Sequence, residues 1–217
     1  MKFAHIADMH FDTAFTSLEN KKGLENIRRL EQREVFKKMV EEIKQRKIPY
    51  LFISGDLYEQ KYIKQSTIEF INQQFDKIPE TKIFIAPGNH DPYISNSFYA
   101  QYKWNSNVHI FKDKVEKIQT QEADIYGVGF SDFYSKSLGI EEISNLDSNK
   151  INIAIVHGTL DGSDKNLEPY NPIPRKKLEE IGFDYVALGH IHKRSNEEET
   201  KIVYPGSTIS LGFDELR

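Results

Sequence analysis

The chain has 217 residues, 38% hydrophobic and 29% charged, with seven histidines, no cysteine and a formal net charge of -4. That length supports one large core rather than two full domains, so residues 1–217 are read as a single domain. The composition excludes a disordered chain, and no apolar run approaches the ~20 residues that a membrane span needs. Without cysteine, disulfides and zinc–thiolate sites are ruled out, which fits a cytoplasmic protein. The start, Met1-Lys2-Phe3-Ala4-His5-Ile6-Ala7-Asp8, turns polar too soon for a secretory signal. The acidic balance gives no global signal for nucleic-acid binding, because such affinity comes mostly from neutralised phosphates.

In chain order, residues 3–7 read as a first strand. Residues 23–47 read as a long helix, with Ile27, Leu30, Phe36, Met39, Val40 and Ile43 on or near one face. Its basic residues, Arg28, Arg29, Arg33, Lys37 and Lys38, alternate with glutamates and suggest a solvated outer face. Pro49 precedes an apolar strand at 50–54, and Ser66 with Glu69 reads as a capping box for a helix through Phe75. Residues 82–86, 151–156 and 185–188 read as further buried strands, and 108–128 as a β-rich stretch. Continuous apolar strands separated by helices indicate an α/β fold whose sheets are covered by helices.

The polar residues that matter fall just past the carboxyl ends of five strands. These are Asp8-Met9-His10, Gly55-Asp56, Gly88-Asn89-His90-Asp91, His157-Gly158 and Gly189-His190-Ile191-His192. Open α/β sheets place their sites at that edge. Five of the seven histidines sit at these points, and His5 and His109 read as structural. Imidazole, carboxylate and amide oxygen together suit Mn, Fe, Zn, Ni or Co. The two-residue spacing lets Asp8 and His10 aim at one ion, and likewise His190 and His192. A carboxylate such as Asp56 has two oxygens and can bridge two cations. Taken singly, Asp56, Asn89 and Asp91 also suit turns, and His157 suits a hydrogen-bonded core histidine. The same placement after five strands is what turns against those structural readings. The polar loop Asp161-Gly162-Ser163-Asp164 follows His157. Its carboxylates would repel a nucleic acid.

In this order the five motifs resemble those of the calcineurin-like metallophosphoesterases. Within that superfamily, His5 to Thr13, Ile53 to Tyr58, Pro87 to Pro92, Trp104 to Phe111, Ala187 to His192 and Tyr204 to Thr208 resemble the SbcD and YhaO-like DNA repair exonucleases. The resemblance implies a four-layer α-β-β-α sandwich and a two-metal phosphodiesterase, with manganese the expected metal. It implies that one ion is held by Asp8, His10, Asp56 and His192, and the other by Asp56, Asn89, His157 and His190. His90 would be the catalytic histidine, with Asp91 orienting it. It further implies DNA as substrate, an SbcC/Rad50-like (SMC-like) coiled-coil ATPase as partner, and a role in DNA repair.

Two other functions carry the same motifs or fold: a small-molecule phosphodiesterase or phosphatase, and a partner-binding scaffold, against which the intact His90 argues. The resembling nucleases continue past Tyr204-Pro205-Gly206-Ser207 into a capping or DNA-binding region, whereas this sequence stops at Arg217. The expectation is a catalytic core that acts poorly on DNA alone. The aromatic segment Tyr93, Phe98, Tyr99, Tyr102 and Trp104 suits base stacking, packing under a helix, or a homodimer contact together with the helix near Ile68 to Phe75. Packing under a helix or at a subunit interface is the better reading.

Overall fold

A computed structural model describes residues 1–15, 23–162, 170–195 and 200–210. In the first half, β1 (Ala4–Ile6), β2 (Tyr50–Ile53), β3 (Lys82–Ile85) and β4 (Val108–Ile110) form a parallel sheet in that spatial order. They are connected through α1 (Leu24–Gln45), α2 (Gln65–Phe75) and the short α3 (Phe98–Gln101). In the second half, β5 (Glu116–Gln119), β6 (Ala123–Gly127), β7 (Ile151–His157), β10 (Tyr185–Gly189) and β11 (Ile202–Val203) pair in the order β11-β10-β7-β6-β5. Only β5 runs antiparallel to its neighbour there. A parallel pair, β8 (Thr159–Leu160) and β9 (Pro172–Ile173), precedes α4 (Arg175–Ile181).

The period-two alternation of strand side chains sorts these residues into three cores. Leu51, Ile53, Ile83 and Ile85 face Phe36, Val40 and Ile43 of α1 and Ile68, Ile71 and Phe75 of α2. From the opposite faces, Tyr50, Phe52, Phe84, Ile125, Ile153, Ile155 and Ala187 meet between the two sheets. Ala154, Val156, Val186 and Leu188 then pack outward against Leu178 of α4. The layers are therefore helix, sheet, sheet, helix, the four-layer α/β sandwich expected. Burial on both faces explains why the strands read as unbroken apolar runs.

Two local expectations are corrected. Ile27 and Leu30 do not join the buried face of α1: they are 50% and 63% exposed, and Gln32, Phe36, Val40 and Ile43 are buried instead. Gln32 is held inside by donating Nε2–H to the carbonyls of Met9 and His10, which ties α1 to the loop after β1. Ser66 and Glu69 form no capping box, since α2 starts after Lys64 without a side-chain cap. Asp12 does the anchoring there, accepting from Lys64 N at 3.0 Å and Thr67 Oγ1 at 2.7 Å. Helix α4 was not evident in the sequence. Ile68, Ile71, Phe75 and Tyr99 are buried inside the chain, and Phe98, Tyr102 and Trp104 pack against that core. The aromatic segment thus packs largely within the chain, as expected.

Candidate metal centre

The parallel strands bring five of their carboxyl ends to one edge, and the loops there are laced together by backbone bonds. Asp8 N donates to Gly55 O at 3.1 Å, His10 N to Asp56 O at 2.9 Å and Phe11 N to Leu57 O at 3.0 Å. The loops after β1 and β2 thus run as a short ladder beyond the sheet. Asp8, His10, Asp56 and His190 all have left-handed backbones, with φ of 54°, 47°, 52° and 104°. Such strain persists only where surrounding contacts enforce it, and it gathers at functional sites. Two glycines make room for this. A Cβ on Gly88 would collide with the Asp56 carboxylate, and one on Gly189 with the Ser54 carbonyl.

The side chains of these loops converge. Ligand atoms of Asp8, His10 and His192 lie within 4.8 Å of one another, and so do those of Asp56, His157 and His190. His10, Asp56 and His90 make a third such group. Between the first two sits Asp56 Oδ2, 3.7 Å from His10 Nε2 and 3.3 Å from His157 Nε2. Its other oxygen accepts the His90 backbone N–H at 2.9 Å. His10 Nε2 is also 3.1 Å from His192 Nε2, and His157 Nε2 is 3.0 Å from Asn89 Oδ1. The Asp8 carboxylate accepts the His190 backbone N–H at 3.0 Å.

Tautomers decide what this convergence means. His157 Nδ1 faces Ser54 O at 2.9 Å, and a carbonyl only accepts, so Nδ1 carries the proton. His10 Nδ1 faces Glu59 Oε1 at 2.7 Å and is protonated for the same reason. In the neutral form of either ring, a bare Nε2 would point at the shared carboxylate. Lone pairs of imidazole, carboxylate and amide oxygen facing one another at these distances repel unless protons or cations lie between them. Buried histidines with Nδ1–H fixed by a second partner are the usual preparation for metal ligation. The residues present fit divalent cations.

The electrostatics agree. Burial opposes charge on His157, but Asp56 and then Asp8 outweigh it and push the ring up to about 9. His10 also rises, against its burial, because of Glu59, Asp56 and Asp8. Asp56 stays ionised well below the ordinary range despite burial, held there by His157, His10 and His90. For Asp8, burial dominates and, with Asp56 nearby, raises the carboxyl. His190 is depressed to about 4 by burial and by His157. Buried negative charge at this centre therefore draws positive charge onto its own histidines.

The Asp91 carboxylate, expected to orient His90, bonds to other groups instead. It is fully buried and accepts from Asp56 N at 3.0 Å, Leu57 N at 2.7 Å, Gly88 N at 2.7 Å and Tyr99 Oη at 2.7 Å. Burial and the Asp56 charge push it up to about 7, and these donors pull the other way. With its lone pairs so committed, it fixes the loops after β2 and β3. The His90 ring is held by Glu59, whose Oε2 accepts from His90 Nδ1 at 3.0 Å while Oε1 accepts from His10 Nδ1. Glu59 was missed in the sequence because nothing in its spacing predicts a contact with two histidines in other loops. The only cue was a carboxylate three residues after Asp56.

The two histidines set aside in the sequence lie outside the centre. His5 bridges Tyr185 Oη at 3.0 Å and Ser54 Oγ at 2.7 Å, and His109 pairs with Glu116 at 2.9 Å. Of the polar loop after His157, Ser163 and Asp164 lie outside the described residues.

A family model, calcineurin-like phosphoesterase, matches residues 1–194. The chain belongs to this family. Membership implies a metal-dependent hydrolase, and the converging side chains could hold the ions such chemistry needs. Among curated proteins, it is 28% identical over 228 residues to the uncharacterized metallophosphoesterase YhaO of Bacillus subtilis, covering 99% of this chain and 55% of that one. It is 26% identical over 251 residues to the SbcD component of the nuclease SbcCD of Staphylococcus epidermidis, covering all of this chain and 63% of that one. The chain thus spans little more than half the length of these relatives. A crystal structure of TT1561 from Thermus thermophilus is similar at 11% identity and a TM-score of 0.44, over 80% of this chain and 84% of that one. No helix among the described residues is long and apolar enough to cross a membrane.

Proposed function

We propose that this metallophosphoesterase is a phosphodiesterase with two metal ions, most consistent with manganese, and that its substrate is DNA. The observation that carries the two-metal reading is the place of Asp56 Oδ2 between His10 Nε2 and His157 Nε2. Asp8, His10, Asp56 and His192 would hold one ion, and Asp56, Asn89, His157 and His190 the other. When bound, divalent cations supply charge neutralisation to the phosphoryl oxygens and activate water near neutral pH.

The remaining work falls to the chain. His90 has a 45% exposed side chain and a ring fixed at Nδ1 by Glu59, so Nε2 is its working nitrogen. Glu59 and Asp56 hold that ring protonated against its burial, at about 9. It therefore carries the proton that the leaving oxygen needs, a role worth about 10²–10⁴-fold. Asp91 keeps the backbone of Asp56 and Gly88 in place, and positioning of this kind carries much of phosphoryl-transfer catalysis. The likeness to the SbcD component of the SbcCD nuclease supports DNA as substrate and a coiled-coil ATPase of the SbcC type as partner in repair. The net charge of -4 favours a second reading, a small-molecule phosphodiesterase, since an acidic surface gives DNA few phosphate contacts.

One assay separates the readings: purified protein with Mn²⁺ on single- and double-stranded DNA and on bis(4-nitrophenyl) phosphate. Cleavage of both DNA and the aryl diester supports the first. Cleavage of the aryl diester alone, with DNA intact even at low salt, supports the second. No Mn²⁺-dependent cleavage of either rejects the phosphodiesterase reading.

A further inference from the structure

Beside the metal centre lies a strip of aromatic side chains that the chemistry above does not use. The loop between β6 and β7 is pinned to the site by Asn171, which is fully buried and has a left-handed φ of 43°. Asn171 N donates to Ser135 O at 2.8 Å, its Oδ1 accepts from Leu138 N at 2.8 Å, and its Nδ2 donates to His157 O at 2.8 Å. Gly158 leaves no room for a Cβ against Asn171, so Asn171 itself is packed tightly beside the strand that delivers His157.

On this fixed loop, two adjacent large aromatics face solvent: Phe133 is 49% exposed and Tyr134 is 38% exposed. Tyr134 meets the Tyr170 ring edge-on, with centroids 5.5 Å apart. Tyr170 lies 5.5 Å from the His190 ring, and His190 lies 5.1 Å from His157. A line of rings thus runs from the buried centre to the surface. The other aromatic-rich segment, after His90, is packed internally. Asn171 thus anchors the loop at Ser135 and Leu138, right beside two large rings that stay exposed.

We propose that this strip is a nucleobase subsite, in which a base next to the scissile phosphate stacks on Tyr134 and Tyr170 with Phe133 at the rim. The inference rests on the phosphodiesterase reading and deepens it to substrates that carry an unpaired base. Three features favour a base as the occupant. The strip is continuous with the ring of His190, so its occupant sits next to the centre where the phosphate would bind. Stacking is tolerant of sequence, since every base has a π-face. It also adds affinity without phosphate contacts, which an acidic chain is poorly equipped to make.

The test compares a labelled oligothymidylate with an abasic oligonucleotide of equal length and charge, by fluorescence anisotropy with Ca²⁺ in place of Mn²⁺. Wild-type protein should bind the oligothymidylate about tenfold or more tighter than the abasic strand, the scale of one stacked base. Tyr134→Ala and Phe133→Ala should each erase most of that preference, and Tyr134→Phe should keep it. Matching melting curves establish that the variants fold. Equal binding of the two strands by wild type, or a preference that survives both alanine variants, would assign the strip to another partner and overturn the proposal. Mn²⁺-dependent cleavage of methyl 4-nitrophenyl phosphate by wild type is measured beside it. If that cleavage persists while base preference is absent, only the subsite falls. If it is absent, the phosphodiesterase reading falls and the subsite with it.

Discussion

Replacing Glu59 by glutamine tests whether one carboxylate couples the proposed metal ligand His10 to the proposed catalytic histidine His90. Glu59 accepts from His10 Nδ1 at 2.7 Å and from His90 Nδ1 at 3.0 Å, and its side chain is 14% exposed. These bonds, against burial, keep its own carboxyl down at about 2. Glutamine preserves the size but offers one acceptor oxygen and an NH₂ that cannot face an N–H. At least one ring is released, and neither is charge-stabilised. A hydrogen bond to a charged group contributes about 1.5–3 kcal/mol, so the affected step should lose about tenfold to hundredfold. Removing a partner behind a metal-bound histidine weakens metal by about 10–100-fold. The sign of the pH effect follows from His90: its raised value, about 9, keeps the ring protonated below that pH and bare above it. Losing Glu59 lowers that value, so the alkaline limb of kcat/KM should move to lower pH. The assay is a pH–rate profile on bis(4-nitrophenyl) phosphate with a Mn²⁺ titration of the same protein. An E59Q variant with wild-type metal affinity and an unmoved alkaline limb would refute the coupling.

His90→Ala should cut turnover by about 10²–10⁴-fold while metal content, measured by mass spectrometry, stays at the wild-type value. His157→Ala should lose metal and activity together, and the opposite pattern would reverse the two roles. Asp91→Asn sets an NH₂ against buried N–H donors from Asp56, Leu57 and Gly88. Chemical denaturation should show a loss of roughly 2–4 kcal/mol, and a midpoint equal to wild type would contradict that. Away from the site, Asp124 is fully buried and ion-paired with Lys117 and Lys150, which hold its carboxyl below the ordinary value despite burial. A depressed carboxyl stabilises the fold above its unfolded pKa and loses that contribution as pH falls through the folded one. Asp124→Asn should therefore flatten the acid limb of the stability curve, and an unchanged slope would dismiss the ion pairs as a factor.

The sheets were legible in the sequence because strands buried on both faces leave unbroken apolar runs, and the residues of the metal centre because each follows such a run. The chain's pairing supplied the rest. Asp8, His10 and Asp56 meet because two loops form a ladder past their strands, through left-handed residues that no propensity predicts. Glu59 and Asp91 show the limit most clearly. Both are carboxylates in the right loops, yet one holds two imidazoles and the other holds backbone amides, a division that only the relative placement of β2 and β3 decides. Helix α1 misled for a related reason. Its apolar period continued through Ile27 and Leu30 to a part of the helix that stays exposed, while a glutamine took the buried place by bonding to the Met9 and His10 carbonyls.

The central claim is a pair of cations sharing Asp56, and counting them tests it most directly. Crystals grown with Mn²⁺ should show two anomalous peaks per chain, both within coordinating distance of the Asp56 carboxylate. His10 and His192 should ligate one ion, and His157 and His190 the other. A single peak that leaves His157 and His190 without metal, or two peaks that do not share Asp56, would contradict the account.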